Sequence, residues 1–249
     1  CQPDDLAGAT WCAVDGVIDP HGACLSFVER ARALGVRWQM RSAVEAIDRV
    51  AHGWSLRAGG QTFHAARIVN AAGAWAGQVA AMAGLEAPVQ PARRIVFTSS
   101  PLPPALRRAQ PYPLTIDLAT GFYFRSEGER LIFGQSNPDD VGFEEGIDWP
   151  WLDTVAQSAL GRFPWFEAVG VDRRACWWGY YEVTPDHQAI IGHPPGEERW
   201  VHACGFSGHG VQQAPAVGRL VSELVTGRAP FVDLTAFRPD RFAAGPVSS

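Results

Sequence analysis

Three glycines stand at the start of a helical segment near the end of the chain, in CGFSGHGVQQAPAVGRLVSELVTG, residues 204–227. A strand-like run, WVHACG, precedes them, and apolar residues at helical spacing follow: Val211, Ala214, Val217, Val221 and Leu224. Because the first N–H groups of a helix have no partner within the helix, the pattern favours an electron-rich ligand at this turn. A tight turn that needs positive φ would explain the same glycines. The motif alone leaves both interpretations open.

A second strand followed by a turn of small residues lies in VNAAGAWA, residues 69–76. Close packing of a helix on a strand would explain Ala71, Ala72 and Gly73 without any ligand. Two such units in one chain, however, suit a long ligand that lies across the carboxyl ends of parallel strands. The combination favours a ligand site over two unrelated turns.

The composition excludes several classes of function. The net charge of −5 gives no basic face for nucleic acid, and there is no run of about 18 apolar residues that could span a membrane. All 21 basic residues are arginine, so a Schiff-base lysine, a P-loop lysine and a lysine general base are excluded within these residues. The 249 residues, 47% of them hydrophobic, are enough for one large domain or two smaller ones.

The five cysteines show neither a CxxC pair nor regular spacing: Cys1, Cys12, Cys24, Cys176 and Cys204. They therefore indicate neither a zinc ribbon nor a disulfide framework, and we expect a reducing, cytoplasmic location. The first residue is cysteine, and no charged-then-apolar leader follows it. We expect the start of this sequence to be a cut rather than a natural beginning.

The first part of the chain predicts a helix followed by extended segments. Asp19 as N-cap and Pro20 at the first helical position mark the start of the helix, and Gly35 marks its end. Two extended runs and a Gly59–Gly60 turn then lead to a strand that ends near Asn70. A short helix follows that strand, as in a βαβ unit.

The middle of the chain differs in composition from the rest: its strand-like segments are rich in aromatic residues, and its turns are rich in proline. It predicts an antiparallel sheet with one helix, in DWPWLDTVAQSALGRF. We therefore expect an α/β fold with two domains. An incomplete βαβ-type, Rossmann-like domain comprises residues 1–88 and 185–249, and a mainly antiparallel substrate domain comprises residues 89–184.

Four motifs carry a resemblance to a known family: DGVIDP before the first helix, VNAAGAWA, WGYYEVTPDHQAIIG, and GFSGHGVQ before the last helix. Their order resembles the FAD-dependent D-amino-acid oxidase, glycine oxidase and sarcosine oxidase superfamily over nearly the whole chain. The resemblance implies FAD as cofactor and a Rossmann-like FAD-binding domain. It also implies oxidation of the C–N bond of an amino acid or amine, such as sarcosine, glycine, proline or a D-amino acid, by hydride transfer to flavin N5.

The resemblance also implies which residues line the flavin. The GFSGHG turn would lie against the isoalloxazine ring, and the helix after it would point at N1 and the C2 carbonyl. A helix N-terminus stabilises a nearby anion by about 0.3 to 2 kcal/mol, which would favour the reduced flavin. The implied cofactor-binding residues are Val44, Ala71, Ala72, Gly73, Trp75, Gly205, Phe206, Ser207, Gly208, His209, Gly210 and Gln212.

On the substrate side, the resemblance implies roles for Tyr181, Tyr123 and His209. Tyr181 occupies the place of an active-site tyrosine of sarcosine oxidases, and strand alternation allows only one of Tyr180 and Tyr181 to face the flavin. Gln212 replaces a lysine that often binds the substrate carboxylate in the family. The implied partners are a small-molecule amine or amino acid and an electron acceptor, either a quinone or a protein.

Four further positions bear on the electron acceptor and on the binding of the carboxylate. Ile132 in RLIFGQ stands where sarcosine oxidases carry a lysine that promotes reaction with O2, so we expect a dehydrogenase rather than an oxidase. Arg125 shares a strand face with Tyr123, and a solvated strand arginine explains it as well as a binding role does. Arg93 and Arg94 are similarly ambiguous.

Two other classes of function stay open on the sequence alone. A metal-dependent hydrolase could use His187, His193, His202, His209, Asp186 and Glu182, although their spacing matches no HExxH or HxH pattern. A non-catalytic assembly partner could keep the fold without the flavin.

The family's GxGxxG fingerprint, which binds the ADP part of FAD, is absent from these 249 residues. Loss of that pyrophosphate cradle could remove about half of the ~12 kcal/mol that corresponds to nanomolar affinity. We therefore expect the 249-residue chain to purify nearly colourless, with FAD affinity in the micromolar range or weaker. A longer chain that carries an upstream GxGxxG segment should be yellow. One tightly bound FAD per 249-residue chain, measured by absorbance, would contradict this division of the site.

Overall fold

A computed structural model describes residues 5–107 and 111–242 of the chain. Cys1 lies outside the described residues. The contacts divide the chain into two compact units, each of which is discontinuous in sequence. The antiparallel unit comprises residues 5–11 and 92–180, and the mixed-sheet unit comprises residues 12–91 and 181–242. The chain passes between the units after residues 11, 91 and 180, and the last two of these points lie near the predicted boundaries after residues 88 and 184.

The mixed-sheet unit begins with helix α1, Pro20–Ala33, where the Asp19 side chain caps the backbone N–H of His21 as predicted. Strands β1 (Val44–Val50), β2 (Gly53–Ala58) and β3 (Gln61–Ala65) form an antiparallel sheet in the order β1-β2-β3. The expected glycine turn, with φ of 55° and 74° at its two residues, connects β2 to β3. Helix α1 has no buried residue, although its apolar residues recur at helical spacing.

A second sheet of the same unit combines parallel and antiparallel pairing. Strand β4 (Ile68–Asn70) pairs in parallel with β11 (Trp200–Cys204), which pairs antiparallel with β10 (Ile190–Gly192). Two helices complete the unit: α2 (Ala76–Met82), which follows β4 after one 3-10 turn, and α5 (Gly210–Val225), which follows β11. Every residue of β11 is buried, in agreement with the sequence pattern.

Two clusters form the core of the mixed-sheet unit. Around β4 and β11, Trp54 and Trp200 meet edge to face with ring centroids 5.5 Å apart, and Ala76 and Ala80 of α2 pack beside them. Helix α5 packs on the β10 side through Val217, with Val221 and Leu224 partly buried. Val211 and Ala214, at the start of the same apolar stripe of α5, are exposed.

The antiparallel unit contains a five-stranded sheet in the order β6-β7-β8-β5-β9. Its strands are β5 (Gln90–Thr98), β6 (Thr115–Ile116), β7 (Tyr123–Glu127), β8 (Arg130–Gly134) and β9 (Trp177–Val183). Its helices are α3 (Pro104–Arg107) and α4 (Trp151–Arg162). An aromatic core that includes Phe97, Phe122, Phe124, Phe133, Phe163 and Phe166 joins the sheet to α4.

These elements give the expected fold class: an α/β unit with a parallel strand pair, and a mainly antiparallel sheet inserted into its sequence. Over the described residues, no helix is both long enough and apolar enough to cross a membrane.

Candidate cofactor and substrate site

The two small-residue turns lie side by side because β4 and β11 are parallel neighbours. Their register pairs Ile68 with Trp200 and Asn70 with His202, so both strands end at the same edge of the sheet. The VNAAGAWA turn leaves β4 there, and the GFSGHG turn leaves β11 there. This edge is where ligands of open α/β sheets bind.

The side chain of Asn70 shapes the first turn. Its Nδ2 donates to the carbonyl of Ala76 at 2.9 Å, and its Oδ1 accepts from the backbone N–H of Ala72 at 3.3 Å. Gly73 has a φ of 56°, which favours glycine, and open space lies where its Cβ would point. A ligand can therefore approach the backbone at Gly73 without meeting a side chain. Sequence analysis missed this role of Asn70.

His202 is fully buried beside Asn70. Its Nδ1 accepts from the indole N–H of Trp200 at 3.4 Å and lies 3.5 Å from Nδ2 of Asn70. Burial lowers the pKa of His202 to about 4, so the ring is neutral near pH 7. The ring stabilises the junction of the two strands from within and is inaccessible to a metal ion from solvent.

Neighbouring side chains of the same chain leave room only for glycine at two positions of the second turn. At Gly205, with a φ of 76°, a Cβ would lie 2.4 Å from the Thr184 methyl carbon. At Gly208, with a φ of 97°, it would lie 2.4 Å from Cε2 of Tyr181. Ser207 also adopts positive φ, at 51°. The glycines suggested that a ligand comes close to the backbone of this turn. The groups that come close are instead the side chains of Tyr181 and Thr184.

Backbone N–H groups of this turn donate within the chain. Gly205 N donates to the Glu182 carboxylate at 2.8 Å, Ser207 N to the Glu182 carbonyl at 3.1 Å, and His209 N to the Phe206 carbonyl at 2.8 Å. The expectation that the turn itself offers several free N–H groups is wrong at these three positions. The first turn of α5, by contrast, receives no side-chain cap from His209.

The TPDH segment supports the turn from the side. Thr184 N donates to Ser207 Oγ at 3.3 Å, and Thr184 Oγ1 donates to the carbonyl of Gln188 at 2.8 Å. Arg241 donates to both carboxylate oxygens of Asp186, at 2.7 and 3.0 Å. Its hydrogen bonds are the largest of the effects that lower the pKa of Asp186 to about 2, so this carboxylate stays charged at neutral pH. Sequence analysis assigned Asp186 only to a possible metal cluster.

Tyr180 and Tyr181 have different environments, as strand alternation predicts. The ring of Tyr181 lies against Gly208, in the mixed-sheet unit. The hydroxyl of Tyr180 donates to the carbonyl of Glu144 at 3.0 Å, and its ring contacts Phe143 and Trp178 in the antiparallel unit. Of the two tyrosines, Tyr181 is the one that contacts the glycine turn.

The other residues of the mixed-sheet unit that were predicted to bind the cofactor or the substrate lie on several of its elements. Val44 begins β1 and packs, half-buried, against the core cluster around Trp54. Trp75 is 48% exposed at the end of the first turn. His209 and Gln212 are exposed at the start of α5, while Phe206 is half-buried next to Gly210.

The other predicted residues lie in the antiparallel unit. Tyr123 pairs with Gly134 across β7 and β8, and Ile132 pairs with Thr98 and Arg125. The guanidinium of Arg125 binds the Glu127 carboxylate.

Arg93 is also engaged within the antiparallel unit. It binds Asp140 at 2.8 Å and donates to the carbonyls of Glu145 and Gly146. Arg94 donates to the carbonyl of Arg93 at 2.8 Å. Structural roles therefore account for the contacts of Arg93 and Arg125.

The side chains considered for a metal site are dispersed. Asp186 is bound to Arg241, Glu182 to the glycine turn, and His193 Nδ1 lies 2.7 Å from the carbonyl of Trp200. In the part of the chain that the structure describes, no group of three or more His, Cys, Asp or Glu side chains could hold a metal ion.

Comparison with known proteins identifies the family. The family model described as FAD dependent oxidoreductase matches residues 1–224, and this chain belongs to that family. FAD-dependent oxidoreductase domain-containing protein 1 of Bos taurus is 36% identical over 206 residues, which are 74% of this chain and 41% of that protein. Mitochondrial sarcosine dehydrogenase of Mus musculus is 26% identical over 255 residues, covering 96% of this chain and 27% of the relative.

The fold is similar to that of a solved structure. The crystal structure of L-proline dehydrogenase from P. horikoshii matches with a TM-score of 0.82 and 25% sequence identity. The match covers 92% of this chain and 61% of that one. In these comparisons the chain spans less than two thirds of the length of its relatives.

Gly208→Ala tests the packing of the turn. We expect it to lower the free energy of unfolding by about 1 to 3 kcal/mol, because the left-handed backbone disfavours a Cβ and the Cβ would meet the Tyr181 ring. The control is Gly218→Ala in α5, where nothing lies within 4 Å of the added methyl. Alanine should stabilise that helix position by about 0.5 to 1 kcal/mol. Urea unfolding curves measure both, and equal changes in the two variants would contradict the assignment.

Proposed function

We propose that this chain forms the flavin-ring and substrate side of an FAD-dependent dehydrogenase that oxidises the C–N bond of an amino acid or secondary amine. The observation that carries the proposal is the side-by-side position of the two small-residue turns at the carboxyl ends of β4 and β11. Membership of the FAD dependent oxidoreductase family supports the same cofactor.

The residues at this edge fit a planar, electron-rich cofactor. The open space over Gly73 admits a ligand to the backbone, and the first turn of α5 supplies N–H groups that a side chain does not cap. In the proposal, Ala71, Ala72, Gly73 and Trp75 contact the cofactor on one side. The turn from Gly205 to Gly210 and Gln212 contact it on the other. When bound, FAD would accept the electrons that leave the substrate.

Because Glu182 already occupies the N–H of Gly205, we assign the stabilisation of negative charge on the cofactor to the start of α5. A 16-residue helix carries a partial positive charge at its N-terminus, which favours an anion there by about 0.3 to 2 kcal/mol. The helix, rather than the turn before it, therefore has the larger electrostatic role in this proposal.

On the substrate side, we propose that Tyr181 orients the amine or carboxylate by a hydrogen bond from its phenol, with His209 also near the substrate. The Tyr181 ring is fixed by its contact with Gly208, and its side chain is 41% exposed. The names of two relatives, sarcosine dehydrogenase and L-proline dehydrogenase, support an amino acid with a secondary amine.

Tyrosine substitution tests the substrate site in the full-length protein. We expect Tyr181→Phe to keep flavin binding but to weaken substrate binding or slow flavin reduction. One lost hydrogen bond corresponds to about 0.5 to 1.5 kcal/mol, which is roughly a two- to tenfold effect. Flavin bleaching by sarcosine, glycine, proline and D-amino acids, followed by stopped-flow absorbance, measures the effect. The matched control is Tyr180→Phe, and identical reduction rates and substrate affinities in the two variants would show that Tyr181 is the wrong choice.

We further propose that electrons pass to a quinone or a partner protein rather than rapidly to O2. An uncharged Ile132 stands in β8, at the position that the family resemblance aligns with an oxygen-activating lysine. In the full-length protein, air should reoxidise the reduced flavin slowly, while a quinone or dye reoxidises it quickly. Rapid, stoichiometric formation of peroxide, measured with a coupled peroxidase assay, would refute this part of the proposal.

A further inference from the structure

The Glu182 carboxylate has no part in the proposed chemistry, yet it is bound inside the glycine turn. Its Oε2 accepts from the backbone N–H of Gly205 at 2.8 Å, and its main-chain carbonyl accepts from Ser207 N at 3.1 Å. Glu182 on β9 thus binds two residues of the turn, Gly205 with its side chain and Ser207 with its main chain.

The Glu182 carboxylate is partly buried. Burial raises the pKa of Glu182, and the hydrogen bond from Gly205 acts in the opposite direction. Burial also raises the pKa of the neighbouring Cys204 thiol to about 12, with the Glu182 charge as the second cause. A half-buried carboxylate is costly unless hydrogen bonds compensate for its lost hydration, and the turn provides them.

The turn needs such support because its backbone is unfavourable by itself. Gly205, Ser207 and Gly208 all have positive φ, and a non-glycine residue in this region, such as Ser207, persists only where its surroundings hold it. The same turn sets the position of Gly208 against the ring of Tyr181, the residue that precedes Glu182 on β9. Displacement of the turn would therefore disturb both the start of α5 and the packing of Tyr181.

We propose that Glu182 is a positioning residue whose carboxylate occupies the N–H group of Gly205 and fixes the glycine turn in its binding geometry before the cofactor arrives. Its significance for FAD rests on the proposed function, while its effect on the turn does not. The carboxylate acts as an internal anion that fills the turn. The cofactor would then meet a preformed surface, which reduces the ordering cost of binding.

Hydrogen exchange of the 249-residue chain without FAD tests the effect on the turn. Glu182→Ala removes the acceptor, and we expect the amide of Gly205 to exchange at least about tenfold faster, because its N–H loses its hydrogen-bond partner. Glu182→Gln keeps an acceptor oxygen at the same reach and should retain most of the protection. The amide of Trp200 in β11 is the internal reference for intact folding.

Two more variants keep the test decisive. Glu182→Asp keeps the charge but is one methylene shorter, so it should also lose protection at Gly205, even if Glu182→Ala fails to fold. Glu198→Ala removes an exposed glutamate of the same unit and should leave the Gly205 amide unchanged. Exchange within about twofold of the wild type in Glu182→Ala, or in Glu182→Asp, would overturn the proposal.

FAD affinity of the full-length protein gives the second readout and separates this proposal from the proposed function. We expect Glu182→Ala to weaken FAD binding about tenfold and Glu182→Gln to restore most of it, as measured by flavin fluorescence titration. If the wild-type protein binds no FAD while Glu182→Ala still loosens the turn, the proposed function fails and the positioning role stands. If the wild type binds FAD and Glu182→Ala binds it equally well, the positioning role fails.

Discussion

The parallel pairing of β4 with β11 is the interaction on which the rest of the site depends. Residues about 130 positions apart in the sequence become neighbours through it, as the contact of Asn70 with His202 shows. Because parallel strands end at the same sheet edge, the two turns that follow them open toward a common space. The buried edge-to-face pair of Trp54 and Trp200 secures the pairing from the core side.

At this edge, several backbone N–H groups and polar side chains form hydrogen bonds within the chain. A glycine turn that begins a helix would ordinarily offer backbone donors to an anion, but here Glu182 accepts from Gly205, and Thr184 and Ser207 bind each other. What remains for a ligand is the start of α5 and the open backbone at Gly73. The turn is therefore best understood as a rigid support for the helix start, with Tyr181 packed on one of its glycines.

The sequence predicted the regular elements well because their signals are local. Asp19 and Pro20 specify the start of α1, the Gly59–Gly60 turn connects β2 to β3, and the small residues after Asn70 precede α2. The order of four motifs also identified the family that the comparison with known proteins shows. The exposure of Val211 and Ala214 on α5 was not predictable, because periodicity does not reveal which part of an apolar stripe has a neighbour to cover it.

The sequence by itself therefore determined the elements, the fold class and the candidate turns, since dihedral preferences and periodicity act over a few residues. Only the tertiary structure decided why Gly205 and Gly208 are glycines, because Thr184 and Tyr181 lie more than twenty positions away along the chain. It also decided that Glu182 belongs to the turn and Asp186 to Arg241 rather than to a metal. Such contacts depend on strand pairing across the whole unit, which a local pattern does not contain.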